Sequence, residues 1–200
     1  MRREDLQELH YITHVGNVPS ICERGILSHR RAGAIKHISV AHSEVQDRRR
    51  GKRVPGGLLL HDYANLYMTA RNPMLYLRAR ANGLADELCV LQVSQSVLDL
   101  PDVVVTDMNA ASPYCRFSSV ADGLEEVDAE RVFRHYWTEG DALEQERCKK
   151  AKCAEVLVPG SVDPGCLEGI YAGTKTATGT LESLALDLEI TLDADLFFNP

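Results

Sequence analysis

Apolar and polar residues alternate over His10-Tyr11-Ile12-Thr13-His14-Val15, the period of a strand, which places His10, Ile12 and His14 on one face and Tyr11 and Thr13 on the other. Residues 17–25 carry helix punctuation: Asn17 as N-cap, Pro19 in the first turn and Gly25 as the stop. Ile26-Leu27 begins another extended piece. His61–Met68 reads as a strand and Ala70–Tyr76 as a turn into a helix, with Asn72 as cap and Pro73 at the first helical position. Arg78 and Arg80 end that helix, where cations suit the dipole, and Asn82-Gly83 breaks it. Leu88–Val93 is a buried strand, Ser94–Leu98 a helical turn, and Val103–Thr106 a strand that runs into the polar stretch Asp107–Ser112. The spacing predicts an amphipathic helix over Asp128–Trp137, with Val132, Phe133 and Tyr136 facing the core and Trp137 packing, a stacking role being its alternative. Residues 141–150 are charged, a surface helix or a mobile segment. Gly169–Ala172 is a strand, Thr180–Leu186 a short helix and Glu189–Leu192 a closing strand. Residues 32–60 are the least periodic part, and such a segment in a compact domain is functional or disordered. No repeat or linker divides the chain, and 200 residues suit one compact domain spanning 1–200.

One run breaks the apolar pattern from within. Lys152-Cys153-Ala154-Glu155-Val156-Leu157-Val158-Pro159 is a strand of β-formers that carries a carboxylate. A carboxylate in such a run needs a partner or a task. Either Glu155 points into water from a strand edge, or it is a catalytic carboxylate at the mouth of a cleft.

Composition narrows the field. No apolar run approaches the roughly 20 residues that span a bilayer, and the N-terminus lacks the apolar core of a signal peptide, so a cytoplasmic protein without membrane contact is expected. The six cysteines form no C-x-x-C pair, Cys148 and Cys153 are too widely spaced for a zinc knuckle, and reduced thiols are expected. His10 and His14 share a face but have no third ligand nearby, so hydrogen bonding to a polar ligand or to backbone is expected in place of a metal. The net charge of −7 argues against general nucleic-acid binding, yet residues 28–81 hold eleven Lys/Arg against three acids. A basic sector on an acidic body suits a local polyanion site for DNA, RNA or a dinucleotide, or is a solvated surface loop.

Several short motifs, in this order, are more specific than any one of them. They are Tyr11-Ile12-Thr13-His14 with Asn17, Ile21, Gly25 and Leu27; Gln46-Asp47-Arg48-Arg49; His61-Asp62-Tyr63 with Tyr67; and Arg71-Asn72-Pro73-Met74-Leu75-Tyr76. Thr106-Asp107, Arg116-Phe117, Tyr136-Trp137 and Ala154-Glu155-Val156-Leu157-Val158 complete the set. Over nearly its whole length the chain resembles the DarT family of DNA ADP-ribosyltransferase toxins. The resemblance implies an α/β (α+β) ADP-ribosyltransferase fold, two packed mixed or antiparallel sheets flanked by helices around an NAD+ cleft. It implies transfer of ADP-ribose from NAD+ to a base of single-stranded DNA, thymine first, and a DarG-type macrodomain antitoxin as partner. It places Glu155 and Arg49 as catalytic residues. Tyr11, Thr13, His14, Asn17, Gly25, Leu27, Arg49, Tyr67 and Met74 are placed at NAD+, and Arg48, Arg50, Arg53, Asn109 and Arg116 at DNA. Tyr11 and Asn109 stand where some members have histidine. A guanine-modifying branch, the same fold acting on RNA or protein, and a non-enzymatic nucleic-acid-binding module are the alternatives.

The residue types suit this chemistry on their own terms. Cleaving the nicotinamide–ribose bond leaves an oxocarbenium-like sugar, so the protein mainly positions groups and stabilises charge. A carboxylate can hold a ribose hydroxyl and offset the positive charge. An arginine can hold pyrophosphate but is a poor proton acceptor. No metal is required. A target base must be unstacked to reach the sugar, which favours single strands, and Tyr63, Tyr67 and Tyr76 are either core residues or stacking platforms.

Overall fold

The computed structural model describes residues 1–199. The alternating run forms β1 (Leu9–His14), followed by α1 (Val18–Arg24) and the short β2 (Ile26–Leu27). Gly25 makes the corner between them at φ +80°, where a Cβ would run into the Val162 carbonyl oxygen. Asn17 does not cap α1 with its side chain. Its carboxamide instead donates to the Ile38 carbonyl (2.8 Å) and accepts from the Ile38 amide (2.9 Å). Asn17 thereby ties the irregular segment to the end of β1.

That segment is more ordered than its pattern suggests. It contains α2 (His29–Ala32), capped by Ser28, and α3 (Ser43–Arg50). α3 has few apolar residues, so hydrophobic periodicity does not betray it. A turn over Leu60–Asp62 leads into β3 (Tyr63–Tyr67). Next comes α4 (Pro73–Tyr76), whose Asn72 cap accepts from the Met74 and Leu75 amides. A π-helical turn continues it through Leu77–Ala81.

The remaining elements are β4 (Leu88–Val93), β5 (Val104–Thr106), β6 (Phe117–Ser118), α5 (Val120–Glu126), α6 (Ala129–Phe133) and α7 (Ala142–Ala151). After them follow β7 (Glu155–Pro159), β8 (Ser161–Val162), β9 (Leu167–Ala172), α8 (Lys175–Glu182) and β10 (Glu189–Leu192). Two sequence expectations need correcting. The helix expected over 128–137 ends at Phe133, and Phe133 and Tyr136 are exposed. Trp137 packs edge-on against Tyr76 and Phe198. The last helix begins at Lys175 because Thr174 caps it by accepting from the Ala177 amide, a stronger start signal than Thr180.

The strands pair in the order β10-β9-β4-β1-β3-β7-β5-β6, with β2-β8 as a separate pair. The long sheet is mixed: β10 runs parallel to β9, and the other pairings are antiparallel. Its middle is the weak point. β1 and β4 match over six positions and β3 and β7 over five, but β1 and β3 share one, His10↔Tyr67. The eight strands thus divide into two halves, β10-β9-β4-β1 and β3-β7-β5-β6, joined at one bridge. Beyond the bridge β1 and β3 part, and a cavity lies where they do. The largest apolar cluster, which includes Leu9, Leu66, Leu91, Val93, Val156, Val158 and Ile170, draws residues from both halves. A second cluster (Ile12, Tyr67, Leu75, Leu88, Val90, Phe197) covers the opposite face near the bridge. Among the described residues, no helix is long and apolar enough to cross a membrane.

Candidate active site

Glu155 occupies the first position of β7 and is completely buried. Its register neighbours are Tyr67 on β3 and Thr106 on β5. The Thr106 hydroxyl accepts from the Glu155 amide (3.0 Å) and donates to the Met108 carbonyl (2.8 Å), which fixes the start of the strand. The Glu155 carboxylate is met by Arg49, Nη1 to Oε1 at 3.0 Å and Nη2 to Oε2 at 2.9 Å. The Ala110 amide adds a third donor to Oε1 at 3.3 Å. Arg49 comes from the last turn of α3 and is itself buried. Burial opposes its charge, but the charge and hydrogen bonds of Glu155 outweigh that and hold the guanidinium above its ordinary value. A bidentate, desolvated arginine–carboxylate pair is the strong form of this interaction. Two neighbours respond to the same carboxylate. The Tyr67 hydroxyl is raised by burial and then by Glu155. The Cys153 thiol is pushed up to about 12 by the same two causes, so it stays protonated and is a poor nucleophile.

A cavity of about 490 Å³ lies against this pair. Tyr11, Thr13, Asn17, Leu27, Tyr67, Met74, Arg48, Arg49 and Asn109 line it, so nine residues singled out in the sequence converge on one space. Thr13 Oγ1 accepts from Asn17 Nδ2 at 3.2 Å, joining the two polar groups at the β1 end. Glu155 stands behind Arg49 and outside the lining. A second cavity of about 330 Å³ adjoins the first, and the two share Arg48, Pro73, Asn109, Lys149 and Cys153. Lys150 and Tyr114 also line it, and Tyr114 is 80% exposed. The backbone that carries Tyr114 is held in place. Lys52 Nζ donates to the Ser112 carbonyl, Ser112 Oγ accepts from the Tyr114 amide, and the Arg116 amide donates to Asp107.

Other sequence candidates lie outside these cavities. His14 Nδ1 accepts from the Gly16 amide (2.9 Å) and Nε2 faces Glu87 (3.4 Å), so its ring shapes the turn that carries Asn17. Gly25 forms the corner before β2. Arg50 pairs with Asp47 (2.9 Å) and Arg53 donates to the Gly57 carbonyl (2.9 Å). Arg116 pairs with Asp107 (3.3 Å). His10 Nε2 faces Glu8 (3.0 Å). Sequence reasoning gave no site role to four cavity-lining histidines, His29, His37, His42 and His61, nor to Gln46 and Lys149, although Gln46 and His61 stand in the motifs above. Apart from Lys149 they lie in or beside the basic sector, and histidines in that sector were the available signal.

The family whose model matches this sequence is described as DarT, ssDNA thymidine ADP-ribosyltransferase, and the match spans residues 10–198. A DNA ADP-ribosyl transferase–DNA ADP-ribosyl glycohydrolase fusion protein of Thermosipho africanus is 33% identical, over 97% of this chain and 50% of its own length. The chain therefore spans about half of that relative. A DNA ADP-ribosyl transferase of Thermus sp. is 30% identical, over 75% of this chain and 73% of its own. Among solved structures, Thermus sp. 2.9 DarT in complex with ADP-ribosylated ssDNA superposes with a TM-score of 0.81 at 24% identity, covering 96% of each chain. The same protein solved with NAD+ gives 0.76 at 22% identity, over 96% of this chain and 97% of that one. At these identities the two superpositions speak to the fold.

Proposed function

Because the chain belongs to the DarT family of single-stranded-DNA thymidine ADP-ribosyltransferases, we propose that it transfers ADP-ribose from NAD+ to a thymine base of single-stranded DNA. The observation that carries this reading is the Arg49–Glu155 pair behind the cavity at the parting of β1 and β3. NAD+ occupies that cavity, held by Tyr11, Thr13, Asn17, Leu27, Tyr67 and Met74. His14 and Gly25 act one step removed, by shaping the turn and corner that present Asn17 and Leu27. The C1′–nitrogen bond to nicotinamide breaks, and the electron pair leaves with neutral nicotinamide. The resulting cationic sugar is offset by Glu155, whose carboxylate takes the ribose hydroxyl as Arg49 shifts onto the substrate. The new bond forms between C1′ and a nitrogen of the base, whose proton passes to Glu155 or water. No step requires a metal.

The acceptor strand approaches through the second cavity, where Arg48, Lys149 and Lys150 meet phosphates and Asn109 stands at the shared mouth. An unstacked base reaches the first cavity from there. Arg50, Arg53 and Arg116 contribute long-range attraction from the surface. The glycohydrolase half of the Thermosipho protein suggests a DarG-type macrodomain, separate or fused, as partner antitoxin, and the site of action is the cytoplasm.

The test is incubation with NAD+ and a library of short single-stranded oligonucleotides, read by mass and then by digestion to the modified base. A thymine adduct of ADP-ribose is the expected product, and Glu155→Gln, which keeps an acceptor for Arg49, should lower its rate at least about 100-fold. Adducts on guanine, RNA or protein alone would replace the acceptor. Absence of any adduct with the unaltered protein would end the reading.

A further inference from the structure

The chemistry above leaves two histidines on the cavity wall without a task. His29 opens α2, His61 lies in the 60–62 turn, and their rings stand 4.1 Å apart at 35°. Both line the first cavity. His61 Nε2 is buried without a hydrogen-bond partner, as are His42 Nδ1 and Gln46 Oε1 on the same lining. Buried polar atoms without partners are uncommon in folded proteins because each carries a desolvation penalty. Three of them on one cavity trace the outline of a polar ligand.

The surroundings give that ligand a sign. Three acids of this region are taken by arginines: Asp62 by Arg30 (2.6 Å), Asp47 by Arg50 (2.9 Å) and Glu155 by Arg49 (2.9 Å). Glu44 and Arg48, one helical turn apart on α3, line the cavity without an ion pair among the described residues. Arg31, on α2, turns away to Ser161. Burial lowers both imidazoles below their ordinary value. His37, Arg49 and Arg50 lower His29 further, and His29, Arg49 and Arg50 do the same to His61 against an opposing hydrogen bond to the Gln46 backbone. Two neutral rings thus face each other in a field of cations. An anion placed between them favours the imidazolium form, because opposite charge and a new hydrogen bond both stabilise it.

We infer that His29 and His61 form a phosphoryl subsite of the cavity that takes up a proton from solvent when it is filled. Each ring offers one N–H to a phosphoryl oxygen, and the imidazole that becomes charged makes the stronger bond. The inference rests on the ADP-ribose-transfer reading and adds to it a group that senses pH at the binding step. The phosphoryl group belongs either to the NAD+ diphosphate or to the backbone of the acceptor strand. His29 and His61 act in binding and hold no reacting atom.

Calorimetric titration at pH 7 in two buffers of different ionisation enthalpy decides the matter, with ADP-ribose, nicotinamide riboside and a short thymine oligonucleotide as probes. Uptake of roughly half a proton is expected with ADP-ribose, and affinity should rise about 5- to 10-fold from pH 8 to pH 6. Nicotinamide riboside, which lacks phosphate, should show neither effect. Uptake with the oligonucleotide in place of ADP-ribose would assign the phosphoryl group to DNA. His61→Asn and His29→Asn should each weaken the phosphorylated probe roughly 10-fold and flatten its pH dependence, raising KM for the corresponding substrate with kcat little changed. Binding of ADP-ribose and oligonucleotide without proton uptake, or uptake that persists in both variants, overturns the inference and leaves the transferase reading standing. Failure to bind NAD+, ADP-ribose or DNA at all defeats the transferase reading itself. Proton uptake by the unaltered protein decides the outcome alone should either variant fail to fold.

Discussion

At the scale of single residues, Glu155 and Arg49 hold each other in a bidentate pair. Both are buried, and the carboxylate accepts from Nη1, Nη2 and the Ala110 amide. Removing one partner strands the other. Arg49→Ala should therefore lower the unfolding free energy by about 3–5 kcal/mol in a denaturant titration, in addition to its effect on turnover. Replacing both residues with alanine should recover most of that loss, giving a coupling energy in the double-mutant cycle well above that of a surface ion pair. Additive losses would show that the pair is not coupled. Gly25 makes a plainer case. Its φ of +80° and the Val162 carbonyl leave no room for a Cβ, so Gly25→Ala should cost on the order of 2–4 kcal/mol and displace Leu27 from the cavity.

Single elements show which parts of the chain could be read in advance. β1, β3, β4 and β7 follow from their apolar patterns to within about three residues, because each is an alternating or continuous apolar run. α4 follows from Asn72 and Pro73, whose chemistry is local. The helix expected over 128–137 stops early because Asp128 caps a short α6 while Phe133 and Tyr136 face outward, and periodicity cannot tell an inward aromatic from an outward one. α3 was illegible for the opposite reason: its one buried residue is an arginine, and it is held by an ion pair to a strand 106 residues away. Glu155 and Arg49 could be given roles from motif order, whereas His29, His37 and His42 of the same wall stand in no motif and His61, which does, received no role. α7 carries a testable oddity at its end. Lys152 is fully buried, donates to the Val132 carbonyl (2.9 Å), and is pulled down to about 8 by burial and then by Arg71. Its depressed value means that the unfolded chain binds the proton more tightly between pH 8 and the ordinary lysine range. Stability from this group therefore rises with pH across that window and is lowest below it. Lys152→Met should remove this rise, so the wild-type-minus-variant difference in denaturation midpoint should grow between about pH 7.5 and 10. Identical pH profiles would show that Lys152 is not desolvated.

For the whole molecule, the division of charge matters more than the net value. A chain of net charge −7 repels DNA in general, while Arg48, Lys149 and Lys150 gather at the second cavity. Acceptor binding should thus depend steeply on salt and on few residues. Lys150→Glu should raise KM for the oligonucleotide about 10-fold at low salt and flatten its salt dependence, without changing NAD+ affinity, since Lys150 does not line the first cavity. A proportional loss in NAD+ affinity would merge the two cavities into one site. The bridge His10↔Tyr67 has a consequence of a different kind. Each half of the sheet keeps its own ladder of backbone hydrogen bonds, and the halves meet at one paired position. The two ladders are jaws on a pivot: changing their gape to admit or release a dinucleotide disturbs one rung and leaves the others whole. Breathing of the jaws is then separable from unfolding, and amide exchange should show it as fast exchange at the pivot flanked by slow exchange on β4 and β7.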